Sequence, residues 1–177
     1  MGAWLSKNFV EYVLDQYANS DEVIIDDASK NWLTKQDFKK KIDYWAERLP
    51  AQKSLIFCYV DNKVEHLAFT LACLHKNHCI GLLDHSLPKS SKDKLNQRYR
   101  PKYIFSDFGG FPTLDNFSKN DINIYPENFL MLSTSGSTGS PKFVVLSNDN
   151  VLHNALKISK ILNICRDSVG SAYLPFH

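Results

Sequence analysis

Between Ser54 and Ser106 the chain alternates short apolar runs with stretches of helical spacing. Residues 54–60, 79–83 and 102–106 are apolar on both sides of a pleat and too short for helices, so they read as buried strands. Residues 64–75 and 92–98 read as the helices between them. Strands separated by helix-length segments form βαβ units, which bring the strands parallel and cover them with helices. The expected class is therefore α/β, a largely parallel sheet with flanking helices.

The flanks extend this pattern. Leu5, Phe9, Val13 and Tyr17 recur at helical spacing and predict an amphipathic first helix closed by Asn19 and Ser20. Residues 22–26 read as a short strand. Thr34 caps a helix whose buried face is Phe38, Ile42, Trp45, Ala46 and Leu49. Residues 107–128 carry Gly109, Gly110, Pro112, Asn116, Asn120 and Pro126 and read as an irregular surface connection. Strands follow at 128–133 and 143–146, and Ser147 caps a helix over 148–162 that packs through Val151, Leu152, Ala155, Ile158, Ser159 and Leu162. Residues 169–174 read as a further strand.

The stretch between the two late strands carries the chemistry. From Thr134 to Lys142 it reads Thr-Ser-Gly-Ser-Thr-Gly-Ser-Pro-Lys. Gly136 and Gly139 can take positive φ, so consecutive N–H groups can turn inward as an anion nest. The hydroxyls of Thr134, Ser135, Ser137, Thr138 and Ser140 can donate to phosphate oxygens, or Thr138 can ligate a Mg²⁺ that bridges them. Lys142 adds a point charge. With each hydrogen bond to a charged oxygen worth about 1.5–3 kcal/mol, such a loop can hold a polyphosphate against water. A turn with no ligand is the plain structural alternative.

Two other phosphate loops do not fit. Pro141 precedes Lys142 where a Walker A loop has glycine, and no Ser or Thr follows the lysine; a dinucleotide fingerprint would need a third glycine. Both of those loops open a helix, whereas this one lies between strands.

A loop of this composition between strands resembles that of the adenylate-forming superfamily: acyl- and aryl-CoA synthetases, nonribosomal peptide adenylation domains and luciferase. Residues 134–142 match its T-S-G-[ST]-T-G-x-P-K-G motif at every position but the last, where Phe143 replaces glycine. Leu146-Ser147-Asn148-Asp149-Asn150-Val151 resembles the family's L-S-H-x-N-L, and Leu174-Pro175-Phe176-His177 its L-P-[LM]-[FY]-H. Residues 80–88 resemble V-P-L-D-P-x-x-P, with agreement at Leu83, Asp84 and Pro88. The resemblance implies ATP and Mg²⁺, a small carboxylate substrate, and coenzyme A or a phosphopantetheine carrier, such as an acyl carrier protein, as acyl acceptor. It implies Thr134, Ser135, Gly136, Ser137, Thr138, Gly139 and Lys142 as ATP-binding residues, Thr138 at the metal, and Lys142 and His177 at the reaction. The family's adenine pocket, magnesium-binding glutamate and mobile C-terminal domain would follow position 177. The expectation is thus that residues 1–177 are the N-terminal part of an AMP-binding domain, inactive alone and prone to self-associate; a non-catalytic phosphate- or nucleotide-binding module is the alternative.

Composition narrows the rest. The 177 residues are 44% hydrophobic and 23% charged, with a formal charge of +2, which gives no general attraction to nucleic acid or anionic membrane. No apolar run reaches membrane length and no leader pattern appears, so a cytoplasmic protein is expected. Cys58, Cys73, Cys79 and Cys165 read as reduced, buried thiols. Cys73, His75, His78 and Cys79 would spread around a continued helix instead of converging on zinc. Lys89, Lys92, Lys94, Arg98, Arg100 and Lys102 make the most basic stretch; with Tyr99 as its aromatic, it reads as a surface helix in preference to a nucleic-acid site.

Overall fold

The computed structural model describes residues 23–26, 31–108, 110–119, 122–134, 142–165, 168 and 170. Strands β1 (Val23–Asp26) and β2 (Asn31–Thr34) pair antiparallel as a separate ribbon. Helix α1 (Lys35–Arg48) follows. Then come β3 (Leu55–Val60), α2 (Val64–His75), β4 (Cys79–Asp84), α3 (Lys89–Tyr99), β5 (Tyr103–Phe108), β6 (Phe111–Asn116), β7 (Leu130–Thr134), β8 (Lys142–Leu146) and α4 (Asn148–Ile161).

The main sheet has six strands in the order β6-β5-β3-β4-β7-β8. Its four central strands are mutually parallel, and an antiparallel strand closes each side: β6 against β5, β8 against β7. The crossovers β3→α2→β4 and β4→α3→β5 move in opposite directions along the sheet, so a common handedness puts α2 and α3 on opposite faces.

Side-chain alternation agrees. On one face Ile56, Cys58, Val60, Ile80, Leu82 and Phe105 pack with α1 and α2. On the other, Leu55, Phe57, Tyr59, Cys79 and Leu83 pack with Leu95 of α3 and Met131. Every residue of β3 is buried, as a central parallel strand requires.

Helix α1 is capped by Thr34, whose Oγ1 accepts from Asp37 N–H at 3.1 Å; such a cap stabilises by about 1 kcal/mol. Its predicted face is the buried one, with Trp45 edge-on to Phe69 and Phe105, themselves stacked 3.9 Å apart.

Several expectations need correction. Residues 111–116 form a strand where an irregular connection was expected: Gly110, at φ +89°, turns the chain back so that Phe108 pairs with Phe111. Pro112 is tolerated there because β6 is an edge strand. Helix α3 begins earlier than expected, at Lys89. Helix α4 has its Ser147 cap, reinforced by the Asn150 side chain accepting from Ser147 N–H at 3.1 Å, yet buries no residue; Ile158 and Leu162, expected on its packing side, are exposed. Cys165 is exposed, unlike the other three cysteines, and all four are thiols outside any disulfide. The expected first helix falls outside the described residues, as does the strand expected at 169–174 apart from Gly170.

Candidate phosphate-binding edge

Because β3, β4, β5 and β7 run parallel, their carboxyl ends share one edge of the sheet. In open α/β sheets ligands bind outside that edge. Thr134 is the last residue of β7 and Lys142 the first of β8, and they face each other in the terminal pair of the β7–β8 ladder. The first and last members of the motif therefore meet at the carboxyl edge. Lys142 is exposed there.

Ser135, Gly136, Ser137, Thr138, Gly139, Ser140 and Pro141 lie outside the described residues, as does His177. What the structure describes is the strand on each side of residues 135–141. Phe143, beside Lys142, turns to the α3 face, 5.7 Å from the Phe57 ring and 5.0 Å from that of Tyr99.

The same edge carries a network that the sequence did not single out. Lys63, just before α2, donates through Nζ to Asp107 Oδ2 at 2.8 Å, and the Asp107 side chain is only 6% exposed. Asp107 Oδ1 accepts from Gly110 N–H at 2.8 Å. His66 is buried; its Nδ1 accepts from Asp61 N–H at 2.7 Å and its Nε2 lies 3.5 Å from Asp107 Oδ2. Burial pushes the Asp107 carboxyl up, but the Lys63 hydrogen bond, the Gly110 N–H and the lysine charge together hold it below its usual value. Burial lowers the His66 pKa against the opposing pull of Asp107. The network ties the β3–α2 turn to the β5–β6 hairpin. Its sequence signal was the placement of Lys63 and Asp107 just after and at the ends of strands that emerge on the same side.

At the end of β4, Asp84 Oδ1 accepts from Ser86 N–H at 2.7 Å, the side-chain-to-backbone bond of an Asx-turn. Beside α1, an open groove of about 470 Å³ is lined by Tyr44, Trp45, Phe111 and Pro112. The carboxylate of Glu65 in it is engaged by Lys41 Nζ at 2.6 Å and by Trp45 Nε1 at 2.5 Å. At the opposite, amino end of the sheet, buried His78 accepts from Ser54 N–H through Nδ1 at 3.1 Å, and burial lowers its pKa to about 4. Among the described residues no three His, Cys, Asp or Glu side chains are grouped to hold a metal, and no helix is long and apolar enough to cross a membrane.

No family-wide sequence model matches the chain. Over 91 residues, half of this chain, it is 33% identical to the medium-chain-fatty-acid–[acyl-carrier-protein] ligase JamA of Moorena producens, of which the match covers 15%. ATP-bound MatB from Rhodopseudomonas palustris shares the fold with a TM-score of 0.75 at 16% identity, over 95% of this chain and 40% of that one. The AMP complex of O-succinylbenzoate coenzyme A synthetase from Bacillus subtilis gives 0.72 at 17% identity, over 96% of this chain and 50% of that one. The chain thus spans half or less of the length of these relatives. The chain thus shares its fold with these adenylate- and ATP-bound enzymes and is similar over half its length to an acyl ligase, and its residues 134–142 resemble the phosphate loop of the adenylate-forming superfamily.

Proposed function

We propose that this chain is the N-terminal, phosphate-gripping part of a ligase that activates a small carboxylate with ATP. The single observation that carries the reading is the pairing of Thr134 with Lys142 at the carboxyl edge, outside which ligands bind in open α/β sheets. The donor set fits a polyphosphate: hydroxyls, two glycines able to turn their N–H groups inward, and one cation. It contains no carboxylate to repel one.

In the reaction, a carboxylate oxygen of the substrate forms a bond to the α-phosphorus of ATP as the bond to the bridging oxygen breaks, giving an acyl-adenylate and pyrophosphate. The loop's part is to bind the β- and γ-phosphates and stabilise the charge that moves onto the leaving pyrophosphate; Lys142 supplies the fixed positive charge. Thr138 would hold a Mg²⁺, which neutralises phosphate charge when bound. His177 would border the acyl pocket. Transfer to coenzyme A or to a carrier-protein thiol follows in this reading, in line with the names of the relatives.

Calorimetric titration with ATP and Mg²⁺ tests the proposal. Saturable binding is expected, with loss of at least about tenfold in affinity in Lys142→Met, whose removed charge-assisted contact is worth about 1.5–3 kcal/mol. Gly136→Val is expected to abolish binding by forbidding the loop's backbone turn. ATP binding unaltered by both substitutions, or no binding by the unmodified chain, overturns the reading. ATP–pyrophosphate exchange with any carboxylate is expected to be absent for the 177-residue chain by itself.

A further inference from the structure

Phe143 stands where the superfamily's loop motif ends in glycine, and the structure shows how its ring is used. Opposite it in the ladder is Ser133, a small partner that leaves room. The ring meets Tyr99 edge-on at 5.0 Å and Phe57 at 5.7 Å. Phe57 belongs to β3, three places away in the strand order. At a strand spacing of about 4.8 Å, β3 and β8 are roughly 14 Å apart, so the two rings must lean toward each other across β4 and β7. Gly81 on β4 makes this possible: a Cβ there would come within 2.9 Å of Phe57 Cδ1.

Val145, on the same face as Phe143, is 45% exposed, while Val144 and Lys142 are exposed as well. Alternation places Lys142 and Val144 on the face opposite Phe143. Val144 pairs with Leu132, which packs in the cluster of α1 and α2, so Lys142 belongs to that side of the sheet. A slip of one residue in β8 would send the lysine to the other face.

We propose that Phe143 is a positioning residue: gripped by Phe57 and Tyr99 over Gly81, it sets the register of β8 and hence the side from which Lys142 meets phosphate. The proposal rests on the reading of Lys142 as a phosphate ligand. Its test compares Phe143→Leu, which keeps apolar volume but loses the ring edges, with Phe143→Tyr, which keeps the ring. Amide exchange by NMR and ATP titration by calorimetry are the two measurements.

In Phe143→Leu the amides of β8 exchange about tenfold faster and ATP binds about tenfold more weakly, the scale of one or two aromatic pairs, with α1 and α2 unchanged. Phe143→Tyr restores both. Tyr99→Leu, which loosens the same grip from the helix, gives the pattern of Phe143→Leu and serves if that variant does not fold. Unchanged β8 exchange, or faster exchange with unchanged ATP affinity, overturns the proposal. If the unmodified chain binds no ATP, the phosphate role of Lys142 fails, while the exchange data still decide whether Phe143 holds the strand.

Discussion

Nζ of Lys63 lies 2.8 Å from Oδ2 of Asp107, joining the turn before α2 to the last part of β5. Asp107 is nearly enclosed, whereas Lys63 keeps 35% of its side chain exposed. Removing the lysine leaves a buried carboxylate with the Gly110 N–H and the neighbouring His66. Lys63→Met is therefore expected to lower stability by about 1–2 kcal/mol, below the cost of breaking a fully buried pair because the lysine is partly solvated. The lysine's charge also helps hold the His66 pKa down, so the variant should titrate His66 at higher pH in NMR. Unchanged denaturation and an unchanged His66 titration together would refute this account of the network.

His78 gives the fold a dependence on acid. In the unfolded chain its imidazole takes up a proton near the ordinary 6.5, but in the folded protein only near 4, because burial disfavours the charged ring. Between those values the unfolded state binds more protons, so stability falls as pH drops from 6.5 to 4 and is fully present above that window. The total is roughly 3 kcal/mol. In His78→Asn the amide oxygen still has an acceptor to offer Ser54 N–H but cannot titrate. Chemical denaturation across the window should show a flatter pH profile for the variant, with His66 contributing the residual slope. Equal slopes in the two proteins would exclude His78 as the source.

Much of this architecture was legible because local and global signals agree. The runs at 54–60, 64–75 and 79–83 are apolar in the periods their structures need, and Thr34 and Ser147 cap helices as their side chains suggest. What was not legible came from tertiary pairing. Strand β6 contains Pro112, Asp115 and Asn116 and has no apolar alternation strong enough to mark it; pairing with β5 makes it a strand. The frame of the candidate site could be read from the motif's flanks, but the aromatic grip on Phe143 depends on residues 57, 81 and 99 meeting across the sheet. No window of sequence contains that meeting.

Gly81 illustrates a glycine kept for space. Besides the approach to Phe57 Cδ1, its added Cβ would lie 3.0 Å from Cε1 of the same fully buried ring. The ring cannot swing into solvent, so Gly81→Ala has to push it against Tyr99 and Phe143 or shift β4. A loss of about 1–3 kcal/mol is expected, as for other overpacked cores. Thermal or urea denaturation measures it directly, and a variant as stable as the parent would mean that Phe57 has room the structure does not show.

Helix α4 leads to a prediction about association. Its capping box makes it a well-started helix, yet none of its residues is buried. Ile158, Ile161, Leu162 and Ile164 are 45%, 77%, 65% and 52% exposed, and Val144 and Val145 of β8 add to the apolar surface on the segments around Ser147. Exposed apolar side chains concentrated in one short stretch of chain favour burial against another surface. The 177-residue protein is therefore expected to self-associate, with its apparent mass in light scattering rising with concentration. Replacing Ile161 and Leu162 together by glutamate places two charges on that surface and should return the protein toward monomer without unfolding it, because neither side chain contributes to the core. A parent protein that stays monodisperse and monomeric at every concentration, or a double variant that associates as strongly as the parent, would show that α4 is not the surface responsible.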